Sequence, residues 1–191
     1  SEMCIRDRYC FVQEKNGQLE AVKKGDTVES LKAFVQGKRS GETAWCDWNI
    51  PIHWGGMSDP FQPVEKKYGY SLECLKYLAE TKYPFVVSTK GRLAASPEYL
   101  ELLAECNCVV QISMVCDKYD VLEKGCPSFA ERLKILESVS RVARRTIVRV
   151  QPYMREVFLD VYKNLKLFKN AGAYGVITVS YTHLTLPTIR L

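Results

Sequence analysis

From about residue 50 onward the chain alternates short apolar runs with amphipathic segments, and this rhythm limits the folds open to it more than any other feature. Ile50–Met57 is a short apolar run ending in Gly55-Gly56. Ser71 reads as an N-cap, and Leu72, Leu75, Leu78 and Ala79 follow at helical spacing. Pro84–Thr89 reads as a buried strand. Ser96-Pro97-Glu98 is a helix start, with a cap, a proline in the first turn and an acid near the positive dipole end. Cys108–Val115 is the next strand, and Ser128–Glu131 is a capping box that opens another helix. Thr146–Gln151 is β-branched and ends at Pro152; Val157–Lys169 is helical; Val176-Ile177 is a last strand. Strand–helix alternation with short connections predicts an α/β fold with a parallel sheet and right-handed crossovers. The pattern alone does not separate a barrel from an open doubly wound sheet. No G-x-G-x-x-G joins a strand to a helix, which weakens a dinucleotide-binding reading. Further upstream, Thr27–Gln36 is a predicted helix with Val28, Leu31 and Val35 on one face.

The two ends read differently. Ser1–Arg8 is what TCG GAG ATG TGT ATA AGA GAC AG(A/G) encodes, and Val179–Thr188 is what GTC TCT TAT ACA CAT CTG ACG CTG CCG ACG encodes. The core of the second, CTCTTATACACATCT, is the reverse complement of AGATGTGTATAAGAG in the first. Both resemble translated transposon-end sequencing adapters, and such segments are set aside in fold reasoning. The expected division is therefore 1–8 adapter-derived, 9–177 native domain and 178–191 adapter-derived, with both ends expected to pack poorly. Three of the 27 basic and two of the 22 acidic residues lie in these ends, so a net charge of +5 becomes +4. This mild excess makes no strong case for nucleic acid. His183 goes with the second end, so His53 is the one histidine left for any mechanism.

The eight cysteines become seven without Cys4: Cys10, Cys46, Cys74, Cys106, Cys108, Cys116 and Cys126. An odd number placed within apolar periodic segments predicts buried, reduced thiols in a cytoplasmic protein rather than a disulfide framework. No apolar run approaches the ~18 residues of a membrane span.

Polar residues gather at the carboxyl ends of the predicted strands, the edge that hosts active sites in both parallel barrels and open α/β sheets. They are Ser58 and Asp59 after the first strand, Ser88, Thr89 and Lys90 after the second, Gln111 and Ser113 on the third, and Arg149 and Gln151 on the fourth. Polar side chains in buried strands are costly unless used or paired. Lys90 reads in three ways: a Schiff-base nucleophile, an anion ligand or a solvated strand end. Gly55 and Gly56 allow close approach to the backbone. His53 reads as a packed or hydrogen-bonded histidine whose strand parity is opposite to that of Trp54.

Five stretches together carry a resemblance: Trp54–Glu65 (Trp-Gly-Gly-Met-Ser-Asp-Pro-Phe-Gln-Pro-Val-Glu), Ser88-Thr89-Lys90, Gln111–Met114, Pro127–Leu133 and Arg149–Pro152. In order and spacing they resemble the radical S-adenosylmethionine enzymes, in the branch of spore photoproduct lyase often labelled DNA repair photolyase. The resemblance covers nearly all of 9–177. It implies a partial (β/α)6 TIM-type barrel, and a C-x-x-x-C-x-x-C loop after the first strand that holds a [4Fe–4S] cluster. An external electron donor would reduce the cluster, which cleaves S-adenosylmethionine to a 5′-deoxyadenosyl radical that abstracts a substrate hydrogen. Cofactor chemistry of this kind leaves the protein to orient and shield.

Tyr9-Cys10-Phe11 matches the end of that loop, so Cys10 resembles the last cluster ligand and Phe11 a residue near the adenine. Gly55 and Gly56 resemble the glycine motif near the cofactor's amino group. Ser58, Lys90 and Ser113 resemble polar contacts to its ribose and carboxylate, and Asp59, Gln111 and Arg149 join them by strand-end position. The first strand and the other two cysteines would lie upstream of Tyr9, leaving the chain as given inactive. Photoproduct lyase carries a hydrogen-donor cysteine just before the Ser-Asp pair, and residues 50–60 contain none. That argues against thymine-dimer repair and leaves the substrate as a nucleic acid, a peptide or a small molecule. Two other readings stand beside this one. The first is a different α/β-barrel enzyme using Lys90 as nucleophile or anion ligand. The second is a non-enzymatic nucleic-acid-binding module built on Arg141, Arg144 and Arg145.

Overall fold

The structure, a computed structural model, describes residues 27–46, 50–56, 58–123 and 125–180. Helix α1 (Thr27–Val35) precedes strand β1 (Ile52–Trp54). A short helix α2 (Glu65–Tyr68) leads into α3 (Tyr70–Thr81). There follow β2 (Phe85–Thr89), α4 (Pro97–Glu105), β3 (Cys108–Ser113), α5 (Phe129–Ser140), β4 (Arg145–Tyr153), α6 (Phe158–Asn170) and β5 (Gly175–Ser180). The five strands form one sheet in the order β1-β2-β3-β4-β5, and every pair is parallel.

That order has no reversal. Doubly wound sheets change direction at a switch point and so place helices on both faces. Here each right-handed crossover steps the same way, which puts successive helices on one face. The helices bear this out: α3 touches α4, α4 touches α5, and α1 packs on α3. Period-two alternation divides each strand between two environments. Phe85 and Val87, Cys108, Val110 and Ile112, and Val148 and Val150 point to the helices and are buried. Against them pack Leu75 and Leu78 of α3, Tyr99 and Leu103 of α4, Ile135, Leu136 and Val139 of α5, and Phe168 of α6. Aromatic pairs close one end of this layer: Trp54 with Phe61 at 5.9 Å, and Phe61 edge-on to Tyr99 at 5.5 Å. Trp54 therefore faces the helices and His53 the other side, as strand parity predicts.

Capping signals hold with two exceptions. Ser128 and Glu131 form the reciprocal box: Glu131 N–H donates to Ser128 Oγ, and Ser128 N–H donates to the Glu131 carboxylate at 2.8 Å. Ser96 caps α4 by position, but its hydroxyl donates back to the Leu93 carbonyl. Ser71 lies inside the first turn of α3 rather than at its cap. Gly69, at φ +66°, holds the cap position, and the Ser71 hydroxyl donates to the Pro60 carbonyl at 2.6 Å. A buried acceptor eleven residues upstream wins over the local amides. Strand β4 runs past Gln151 through a cis Gln151–Pro152 bond to Tyr153. The sequence boundary at Ile177 falls inside β5, whose backbone pairs with β4 as far as Ser180. The remaining residues of both adapter-like ends lie outside the described residues. Among the described residues no helix is long and apolar enough to cross a membrane.

Ser128→Ala is expected to cost about 1 kcal/mol, the usual worth of such a cap, read as a shift in urea midpoint at unchanged slope. The Ser128 N–H, and then Arg92, hold the Glu131 carboxyl down to about 2. A depressed carboxyl contributes stability above its ordinary range and loses it as pH falls through the folded value. The stability gap between wild type and Glu131→Gln should therefore close between pH 4.5 and about pH 2.

Candidate functional site

On the face away from the helices, polar side chains link across four strands. His53 Nε2 lies 3.1 Å from Ser88 Oγ. Ser88 Oγ donates to Gln111 Oε1 at 2.9 Å, and Arg149 Nη1 donates to the same oxygen at 3.1 Å. Arg149 Nε donates to Gln151 Oε1 at 2.8 Å. Register explains the row: Ser88 pairs with Gln111, Ser113 with Arg149, and paired residues in a parallel ladder share a face. Ser88, Gln111 and Ser113 are buried, Arg149 is half-buried, and His53 is exposed. Partial burial and then the Arg149 charge hold the His53 imidazole below its ordinary value. Burial likewise lowers the Arg149 guanidinium.

A second polar group sits at the strand ends on the helix side. The buried Asp59 carboxylate accepts from Phe61 N–H at 2.8 Å, Thr89 Oγ at 2.7 Å and Lys90 N–H at 2.6 Å. Burial lifts this carboxyl above its usual range against the pull of those three donors. Asp59 thus ties the β1 loop to the end of β2. Gly55 completes the junction. At φ +88°, a Cβ there would come within 2.2 Å of the Ser88 carbonyl oxygen, so the loop crosses β2 only because no side chain intervenes. Gly91 makes the same approach to the Phe61 carbonyl, also at 2.2 Å.

Lys90 is buried, with Nζ 2.8 Å from Glu123 Oε1. Glu123 also meets Arg132, Oε2 to Nη1 at 2.5 Å. Arg132, wholly shielded from solvent, donates to the Ser113 carbonyl at 3.1 Å and to Asp120 at 3.1 Å. This ion network fixes the loop after β3 over the ends of β2 and β3.

The site residues named from sequence therefore separate into two groups. Gln111 and Arg149 join the open-face row, with Ser113 beside them. Ser58 is half-buried in the β1 loop and Gly56 is exposed next to it. Gly55, Asp59 and Lys90 are engaged in holding loops, and Lys90 is not a solvated strand end. Cys10 and Phe11 lie outside the described residues. Sequence reasoning discounted His53 and missed Glu123 and Arg132. The parity of His53 was legible, but not its register onto Ser88. Nothing local marks Glu123 as the partner of a lysine 33 residues away.

The basic run Arg141–Arg145 makes contacts within the chain at the surface. Arg141 pairs with Glu137, Arg144 donates to Asn107 at 2.8 Å, and the Arg145 guanidinium lies over the Tyr174 ring at 4.4 Å. Of the cysteines, Cys74, Cys106, Cys108 and Cys116 are buried. Burial pushes the Cys74 and Cys108 thiols up to about 12 and Cys106 to about 11. Such thiols are poor ligands, since a metal takes the thiolate. Among the described residues no three His, Cys, Asp or Glu side chains gather as a metal site. The described part of the chain does not include Cys10, the cysteine that resembles a cluster ligand. Its open face, with a guanidinium, two amides and hydroxyls, does suit a polar organic ligand.

No family model matches the chain, and no solved structure matches it. Among curated proteins it is similar to DNA repair protein RAD51 homolog 2 of Homo sapiens, 25% identical over 131 residues. That alignment covers 66% of this chain and 33% of the human protein, so the chain spans about a third of its relative's length. The sequence contains no G-x-x-x-x-G-K-[ST] phosphate-binding loop.

Lys90→Met should destabilise the fold by about 3 kcal/mol, because it leaves Glu123 with a single cation in a buried setting. Glu123→Leu should cost more, because it leaves both Lys90 and Arg132 without their shared carboxylate. Urea unfolding followed by circular dichroism checks the order. Equal or negligible losses would mean that the network is not buried as described.

Proposed function

We propose that residues 9–177 are most of a partial (β/α)6 TIM-type barrel from a radical S-adenosylmethionine enzyme. The observation that carries this reading is the unreversed parallel strand order, with Gln111, Ser113 and Arg149 on the face away from the described helices and Ser58 in the loop that follows β1. A sheet wound in one direction curls toward closure and turns its helix-free face inward. The five described strands would follow a first strand that lies before β1. The sequence stretches that resemble the family fall at the β1 loop, the ends of β2, β3 and β4, and the start of α5.

On this reading Gln111, Ser113 and Arg149 bind the polar groups of S-adenosylmethionine, and Gly56 and Ser58 border it from the β1 loop. Gly55, Asp59 and Lys90 act one step back, setting the loops from which those contacts are made. When bound, the cofactor pair supplies reductive cleavage of the sulfonium and hydrogen abstraction from a substrate. The cluster itself would rest on Cys10 and two upstream cysteines. The enzyme would work in the cytoplasm with an external electron donor, on a nucleic acid, a peptide or a small molecule. A Lys90 nucleophile is less well supported, since that ammonium lies on Glu123.

Anaerobic reconstitution with iron and sulfide, applied to the protein translated from its native reading frame upstream of Tyr9, tests the reading. The expected result is a brown protein that releases 5′-deoxyadenosine from S-adenosylmethionine under reduction, with release falling at least tenfold in Arg149→Leu. A colourless protein that leaves S-adenosylmethionine intact would return the chain to an unassigned α/β fold.

A further inference from the structure

Hydrogen-bond direction along the open face is set by a residue that can only donate. A guanidinium has five N–H donors and no acceptor. Gln111 must therefore turn its amide oxygen, not its NH₂, toward Arg149 Nη1. The same oxygen lies 2.9 Å from Ser88 Oγ, so the Ser88 hydroxyl proton must point there. With that proton used, Ser88 can only accept from His53 Nε2, 3.1 Å away. A neutral imidazole carries one N–H. It therefore sits on Nε2, and Nδ1 keeps its lone pair.

Further observations describe the two ends of the row. His53 is exposed. A Cβ placed at Gly56 would lie 4.0 Å from Nδ1 and 3.9 Å from Cε1, in ordinary contact, so the Nδ1 edge of the ring faces the β1 loop at Gly56. At the other end of the row, Arg149 spends N–H groups on two neutral amide oxygens, Gln111 and Gln151. No carboxylate among the described residues opposes its half-buried charge. A charge in that setting is costly without an anion.

We propose that His53 is the proton-accepting residue of this face. Nδ1 takes a hydrogen bond, and in a reaction the proton, from an O–H or N–H group of a small carboxylate whose anionic end meets Arg149. In that transfer the O–H or N–H bond breaks and the Nδ1–H bond forms. The electron pair stays on the ligand as its conjugate base, beside the guanidinium, while Nε2–H remains on Ser88. Ser88 and Gln111 are positioning residues that fix the tautomer. The proposal rests on hydrogen-bond direction and stands independently of the cofactor reading.

Bromoacetate and bromoacetamide test it on the chain as it is. The Nδ1 lone pair forms a bond to carbon as the C–Br bond breaks and bromide leaves. Only bromoacetate has the carboxylate that Arg149 would steer. With each rate normalised to N-acetylhistidine, bromoacetate should modify His53 about tenfold faster than bromoacetamide. Peptide mapping should place the group on Nδ1. Arg149→Leu should abolish the preference and Arg149→Lys should keep most of it, which separates lost charge from lost fold. Ser88→Ala should spread modification over both ring nitrogens and Ser88→Thr should restore Nδ1. Modification at Nε2 in the wild type, an unreactive His53, or a preference that survives Arg149→Leu would each overturn the proposal.

Discussion

The direction in which the sheet is wound governs everything else in this molecule. Five parallel strands in unbroken order put the helices that join them, among the described residues, on one face. The helix-covered face can then be filled with Val, Ile, Leu, Phe and Cys. Its burial supplies the main driving force for folding. The opposite face carries the polar residues that such a core cannot accept. Because the ladder is in register, these residues fall opposite one another and pair across strands.

Buried polar groups follow from this division in two distinct ways. On the helix side, Asp59, Lys90, Glu123 and Arg132 bind other parts of the same chain, and their job is to hold loops over the strand ends. They resemble site residues in sequence because both kinds occupy strand ends. On the open face, hydrogen bonding runs one way, from the donor-only guanidinium to the exposed imidazole. A row of that kind has unspent capacity at both ends: positive charge at Arg149 and a lone pair at His53. The difference between the two groups lies in whether partners come from the chain or must come from outside it.

Much of this is legible in the sequence. The strands, four of the five helices between them and the Ser128–Glu131 box follow from apolar periodicity and caps, which are local properties. So does the gathering of Ser88, Gln111, Ser113 and Arg149 at strand ends. Register and long-range pairing were not legible. That His53 meets Ser88 depends on how β1 slides against β2, and a slip of one residue would have turned it toward the helices. Lys90 read as a candidate nucleophile because nothing near it in sequence announces Glu123. Ser71 read as a cap because its competing acceptor, the Pro60 carbonyl, belongs to a loop whose path is set by Gly55 and Asp59. Strand order could not be read from periodicity either, since singly and doubly wound sheets share the same alternation.

The direction of the hydrogen bonds across the open face is reported directly by the His53 ring. A long-range ¹⁵N–¹H correlation spectrum of the imidazole, recorded near pH 7 on ¹⁵N-histidine-labelled protein, distinguishes the two nitrogens. The expected result is a neutral ring with its proton on Nε2 and an unprotonated Nδ1. A ring protonated on Nδ1, alone or with Nε2, would contradict it.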